Sequence, residues 1–153
     1  MLSDVVTEEL IQLHVPAQTW EEAIRVCARP LADTGRCTPA FVDAMVETAR
    51  EFGPYIVITK HVAMPHARPE EGALKTGISI STLEQPVEFG NAENDPVAYV
   101  FGLCATDATS HVEAIAELAG LLEEGEFYRV LDEAAHPSDV LAYLQKYEAA
   151  HNS

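Results

Sequence analysis

Basic residues are scarce in this chain. Nine Lys and Arg stand against 25 Asp and Glu in 153 residues, a net charge of -16. That balance argues against nucleic acid and anionic membrane surfaces as partners and permits attraction to a basic protein. Cysteine is sparse as well. Cys27, Cys37 and Cys104 form an odd, scattered set without a CxxC pair, the pattern of reduced cytosolic thiols rather than a disulfide framework. No apolar run approaches the roughly 18 residues of a membrane-spanning helix, and Met1-Leu2-Ser3-Asp4 lacks a basic signal-peptide start. A cytoplasmic protein is therefore expected. There is no P-loop glycine pattern, no GxSxG elbow, no internal repeat and no low-complexity linker. What is present is ordinary for a folded protein: 48% of residues are hydrophobic, and the length predicts a single domain over 1–153 with a substantial core.

Along the chain, Leu10 to Val15 alternates as a half-buried strand, with Ile11, Leu13 and Val15 on one side and Gln12 and His14 on the other. Thr19-Trp20-Glu21-Glu22 has capping-box spacing and opens a helix towards Leu31 that Pro30 should end or bend. Thr38-Pro39 reads as N-cap and first helical residue of a helix to about Phe52, with Gly53 as its stop. Tyr55 to Ile58 is a short buried-strand run, and Val62-Ala63-Met64 leads on from it. Gly77 to Leu83 alternates as a strand with one polar face, and Ser79 is expected on that solvated face. Val97 to Ala105 is nearly all apolar and fits a central strand covered on both sides. Ser110-His111-Val112-Glu113 repeats the capping-box spacing, which places His111 at a first helical position. Shorter helices are expected around Phe127 to Leu131 and from Pro137, with fraying after Tyr147. Strands interspersed with helices indicate an α/β fold: three layers, α/β/α, with a mixed sheet of about five strands and helices on both faces.

The chemistry concentrates at Ala63-Met64-Pro65-His66-Ala67-Arg68-Pro69-Glu70. Pro65 holds its own φ near about -65° and biases Met64 towards extended geometry, and Pro69 does the same to Arg68. A stiff loop thus presents an imidazole beside a guanidinium, suited to taking up an anion. If this loop and the one after Ala105 meet at one sheet edge, an anion at His66 also touches His111, and a helix start there supplies N–H donors. His61, His66 and His111, with Asp107 or Glu70, match no zinc spacing, so neither metal nor cofactor is expected. His14, His136 and His151 read as bystanders, and Cys27 and Cys104 as core thiols. Met64 and Val112 are candidates for docking a partner, with ordinary packing as the simpler reading of Val112.

Gly53-Pro54-Tyr55-Ile56-Val57-Ile58 followed by Ala63 to Gly72 resembles the phosphorylation-site region of enzyme IIA proteins of the bacterial sugar phosphotransferase system, mannitol/fructose type, closest to the ascorbate-type members. Leu74 to Gly77, Pro86-Val87, Asn94 to Val97 and Ser110-His111 recur in the same order as in that family. The resemblance implies a phosphohistidine relay. His66 takes the place of the phospho-acceptor and His111 of the second active-site histidine, with Arg68 and Ser110 as anion support. Arg50 falls near an arginine that mannitol-type members use, or is a solvated helix residue. The phosphoryl group would arrive from phosphorylated HPr and leave to a cysteine of a cognate IIB protein that serves a membrane IIC transporter. The sugar implied is ascorbate or pentitol-like, and the resemblance allows a homodimer. A regulatory module that controls another protein by its phosphorylation state is the alternative; the free-standing length favours the transporter role.

Overall fold

The structure is a computed structural model that describes residues 2–151. Its axis is the strand the apolar run predicts, β5 (Val97–Cys104), which pairs antiparallel with β4 (Gly77–Val87) and in parallel with β3 (Val62–Ala63). β1 (Ile11–Val15) lies parallel to β4, and β2 (Val57–Thr59) closes the other edge antiparallel to β3, giving the order β1-β4-β5-β3-β2. Helices α2 (Trp20–Asp33) and α3 (Pro39–Phe52) cover one face, where Ile24, Leu31, Phe41 and Met45 pack on Ala63, Val100 and Cys104. Helices α1 (Leu2–Val5), α4 (Ala108–Leu121), α5 (Gly125–Glu133) and α6 (Pro137–His151) cover the other, with Leu118, Phe127 and Leu144 against Val62, Ile80 and Phe101. The three-layer α/β/α fold with a mixed five-stranded sheet is the one expected.

The strong local signals hold. Thr19 Oγ1 accepts from the Glu22 N–H at 3.2 Å and Thr38 Oγ1 from the Phe41 N–H at 3.3 Å, so both caps form. Gly53 ends α3 at φ 84°, a region that favours glycine. Pro30 neither ends nor breaks α2, which runs on to Asp33. A proline there leaves the Val26 carbonyl without its helical donor, and a side chain from the sheet replaces it: Nε2 of Gln12 donates to Val26 O at 2.9 Å.

Tertiary packing overrules several local readings. The alternating face of β4 is not solvated, because α2 lies on it and Ser79 and Ser81 are both 0% exposed. Ser79 Oγ accepts from the Gly102 N–H at 3.2 Å, and a Cβ on Gly102 would stand 2.5 Å from that oxygen. A glycine in β5 is therefore what lets helix and sheet approach so closely. At β1 the alternation fails at His14, whose φ of 55° accompanies a register shift; Ile11 and Leu13 face α4–α6, but Val15 packs on the α2 side. Tyr55 and Ile58 are exposed rather than buried, since Pro54–Ile56 forms a 3-10 turn and β2 is an edge strand. The chain does not fray after Tyr147 within the described residues. Glu148 is buried and accepts from Ser3 N and Ser3 Oγ, both at 2.6 Å, which ties α6 to α1.

Candidate functional site

The histidine loop continues the line of β3 alongside β5. Pro65 has no N–H to give, but its carbonyl accepts from the Leu103 N–H at 3.0 Å, and His66 forms a further parallel bridge to Leu103. The loop is thereby clamped to the central strand just beyond Met64. Downstream, Pro69–Glu71 forms a 3-10 turn, and Gly72 passes so near α3 that a Cβ there would meet Thr38 Oγ1 at 2.2 Å. The Gly72 carbonyl accepts from Thr38 N at 3.0 Å. Both ends of the segment are thus fixed by backbone bonds, which is what a site needs to hold an imidazole in place.

Nδ1 of His66 lies 2.9 Å from the Met64 carbonyl oxygen. A carbonyl can only accept, so Nδ1 carries the proton and Nε2 keeps its lone pair. Among the described residues Nε2 has no hydrogen-bond partner. The His111 ring stands edge-to-face with His66 at a centroid distance of 5.6 Å, so the two imidazoles meet as the sequence suggested. Burial, with His66 adding to it, holds His111 below the ordinary imidazole range. His111 is therefore neutral near pH 7. Tyr55 completes the cluster, its ring 6.4 Å from His66 at 77°. Sequence reasoning had assigned Tyr55 to a strand; the Gly53-Pro54 pair immediately before it was the signal for a turn.

His111 is not at a first helical position. α4 begins three residues earlier, and Asp107 is the N-cap, its Oδ1 accepting from Ser110 N at 2.7 Å. Hydrogen bonds from the Ser110 backbone and hydroxyl, and then from Thr109, hold the Asp107 carboxyl below its usual range. The first-turn donors that would have met an anion are taken by the helix's own carboxylate. The Ser110 hydroxyl is engaged in the same way.

His66, Arg68 and His111 line one open depression of about 1140 Å³ between α3, the 66–71 loop and the start of α4. It is not the electropositive pocket the loop sequence suggests. Asp43, Glu47, Glu51, Glu70, Glu71 and Asp107 also line it, and the exposed Arg68 guanidinium is 3.5 Å from Glu71 and 3.8 Å from Glu70. Arg50 is not brought to the histidines. It pairs with Glu21 and Glu47, lies 6.0 Å from the Trp20 ring and lines a separate depression with Trp20. A second, smaller and mostly apolar depression of about 410 Å³ shares His66 and is lined by Tyr55, Ile58, Met64, Ile115 and Leu122. Met64 itself is buried at 5% exposure, whereas Val112 is 63% exposed, the reverse of what the sequence suggested for each. Phe52 and Tyr55 are exposed as well, in edge contact with each other, and line the larger depression. The histidines thus sit between an acidic hollow and an apolar collar. Among the described residues, no three metal-ligating side chains converge and no helix is long and apolar enough to cross a membrane.

Residues 4–147 match the family described as the phosphoenolpyruvate-dependent sugar phosphotransferase system, EIIA 2. The ascorbate-specific PTS system EIIA component of Escherichia coli strain K12 is 37% identical over 141 residues, 92% of each chain. The solution structure of the mannitol-specific cryptic phosphotransferase enzyme IIA CmtB from Escherichia coli superposes with a TM-score of 0.80 at 41% identity, covering 91% of this chain and 94% of that one. The Escherichia coli complex of enzyme IIA and phosphorylated enzyme IIB for mannitol superposes with a TM-score of 0.79 at 28% identity, covering 92% and 97%.

Proposed function

We propose, for a chain that belongs to the EIIA 2 family of the phosphoenolpyruvate-dependent sugar phosphotransferase system, that Nε2 of His66 carries the phosphoryl group. The observation that supports this most is the 2.9 Å bond from Nδ1 of His66 to the Met64 carbonyl, which leaves Nε2 as the free nucleophilic nitrogen. The phosphoryl group arrives from phospho-HPr: its bond to the donor breaks as a P–N bond forms at Nε2. The proton stays on Nδ1, donated to the Met64 carbonyl throughout, so the positive charge that builds on the ring is met by a fixed carbonyl. In the second half of the cycle a thiolate of a cognate IIB protein takes the group, and His66 returns to its neutral form. No proton need be shuttled by His66 itself.

The surroundings suit transit rather than storage. Phosphoryl transfer depends on positioning and on stabilising charge spread over the equatorial oxygens. His111, 5.6 Å away, can protonate when the anion arrives and so place a cation against it. Arg68 lines the same depression and is the cation there that could turn from Glu70 and Glu71 to the phosphoryl oxygens. The carboxylate rim works against retaining free phosphate and complements a donor surface bearing Lys or Arg. The apolar collar of Phe52, Tyr55 and Val112 provides the desolvated contact such a transient complex requires. The IIB partner would in turn serve a membrane IIC component, and this chain would work in the cytoplasm on uptake of ascorbate or a pentitol-like sugar.

Incubating the chain with phosphoenolpyruvate, enzyme I and HPr should add a single phosphate to its intact mass. A His66→Ala variant that acquires it at the same rate would refute the assignment.

A further inference from the structure

The loop between β4 and β5 plays no part in the reading above, yet it holds the backbone on which His66 depends. The Asp95 carboxylate gathers three successive backbone donors: Phe89 N at 2.9 Å, Gly90 N at 2.8 Å and Asn91 N at 2.9 Å. Wound in this way, the loop presents two side-chain amides to the edge of the sheet. Nδ2 of Asn91 donates to the carbonyls of Pro54 at 3.3 Å and Val57 at 3.4 Å, and Nδ2 of Asn94 donates to Val57 O at 3.3 Å. Oδ1 of Asn91 accepts from Asn94 N at 3.2 Å, which determines which end of its amide faces those carbonyls. The Asn94 carbonyl accepts from His61 N at 2.8 Å, at the turn between β2 and β3. Because β2 is the last strand of the sheet, these side chains do the holding that another strand would do.

From the residues Asn91 grips, a short series of bonds leads to the imidazole. Ile56, between Pro54 and Val57, accepts from Met64 N at 2.8 Å, and the Met64 carbonyl accepts from Nδ1 of His66 at 2.9 Å. Tyr55, in the same turn, sets its ring beside the imidazole. The two neutral tautomers of a histidine differ little when nothing constrains them, so the carbonyl that takes one ring proton decides which nitrogen is bare. A hydrogen bond of 2.9 Å is lost when its acceptor moves by an ångström.

We infer that Asn91 is a positioning residue for phosphoryl acceptance: by holding the Pro54 and Val57 carbonyls it fixes the 54–57 turn and, through Met64, keeps His66 with its proton on Nδ1 and Nε2 free. The inference rests on the reading of His66 as the acceptor. Its test is made on the full chain labelled with ¹⁵N-histidine, comparing wild type, Asn91→Ala and Asn94→Ala. Long-range imidazole spectra above neutral pH report the tautomer, and the rate of phosphate uptake from phosphoenolpyruvate, enzyme I and HPr is measured alongside Tm. In Asn91→Ala the two ring nitrogen shifts of His66 should move towards each other as the tautomers average, and uptake should slow about tenfold, the scale expected of a small misplacement. Asn94→Ala, which leaves the Pro54 bond in place, should shift in the same direction by less. A merely structural role would lower Tm and leave the His66 shifts alone. Folded variants with the wild-type tautomer and wild-type rate would overturn the inference; if Asn91→Ala does not fold, an unchanged tautomer in Asn94→Ala does so. Averaging of the tautomer in variants of a protein whose His66 takes no phosphate would instead sink the acceptor reading and leave the control of the tautomer standing.

Discussion

His66 and His111 lie beyond the C-terminal ends of two adjacent parallel strands, β3 and β5, and meet edge-to-face, their ring centroids 5.6 Å apart. One is clamped to β5 through Pro65 and Leu103, and the other rides on the first turns of α4 behind the Asp107 cap. The relationship assigns them different work. His66 has one nitrogen committed to a carbonyl and one free; His111 is held neutral by burial and by its neighbour.

His111→Ala should therefore slow phosphate uptake on His66 by about a hundredfold, the usual cost of removing one charge-stabilising group. Stability should change little, because His111 is only half-buried. Quench-flow measurement of the phosphorylated fraction, with Tm as control, checks both.

The titration of His111 should reverse on phosphorylation. In the free protein its folded pKa is lowered, so the unfolded chain binds the proton more readily. His111 therefore contributes a loss of stability as pH falls through and below the ordinary imidazole range, and nothing above it. A phosphoryl group on His66 carries about two negative charges beside the ring and must favour its protonated form. Proton NMR titration should find the His111 pKa higher in the phosphorylated protein than in the free one.

The two arginines should behave differently. Arg68 shares the depression with the histidines, and Arg68→Ala should slow uptake several-fold. Arg50 makes exposed pairs with Glu21 and Glu47, contacts that solvent screens to little net stability. Arg50→Ala should leave the rate unchanged and Tm nearly so.

Gln12 and Pro30 form a testable pair. Gln12→Ala removes the donor to the Val26 carbonyl and should cost about 1–2 kcal/mol. In a Pro30→Ala background the new backbone N–H takes that carbonyl, so the same substitution should cost less. Urea unfolding of the four members of the cycle measures the difference.

Much of this architecture was legible from local signals. Thr19, Thr38 and Gly53 mark helix ends through single side chains or a single φ, and the Val97 to Ala105 run announces a strand covered on both faces. The proline brackets singled out His66 for the same reason, since they act on the backbone beside them. What stayed hidden depends on who lies opposite. Ser79 and Ser81 look solvated until α2 is placed on them, and Gly102 looks incidental until Ser79 is beside it. The sequence pattern placed the cap at Ser110 because Glu113 follows it; the structure uses Asp107, three residues earlier. The acidic rim was hidden too, because Asp43, Glu47 and Glu51 become part of the site only when α3 is docked against the 66–71 loop. Arg50 sits one helical position from that rim and points to Trp20 instead.

The most direct measurement is a ³¹P–¹⁵N correlation spectrum of the phosphorylated, ¹⁵N-histidine-labelled protein. Phosphorus should couple to a single nitrogen, Nε2 of His66, while Nδ1 of the same ring keeps its proton. Phosphorus on Nδ1 of His66, on His111 or on no histidine would contradict the account.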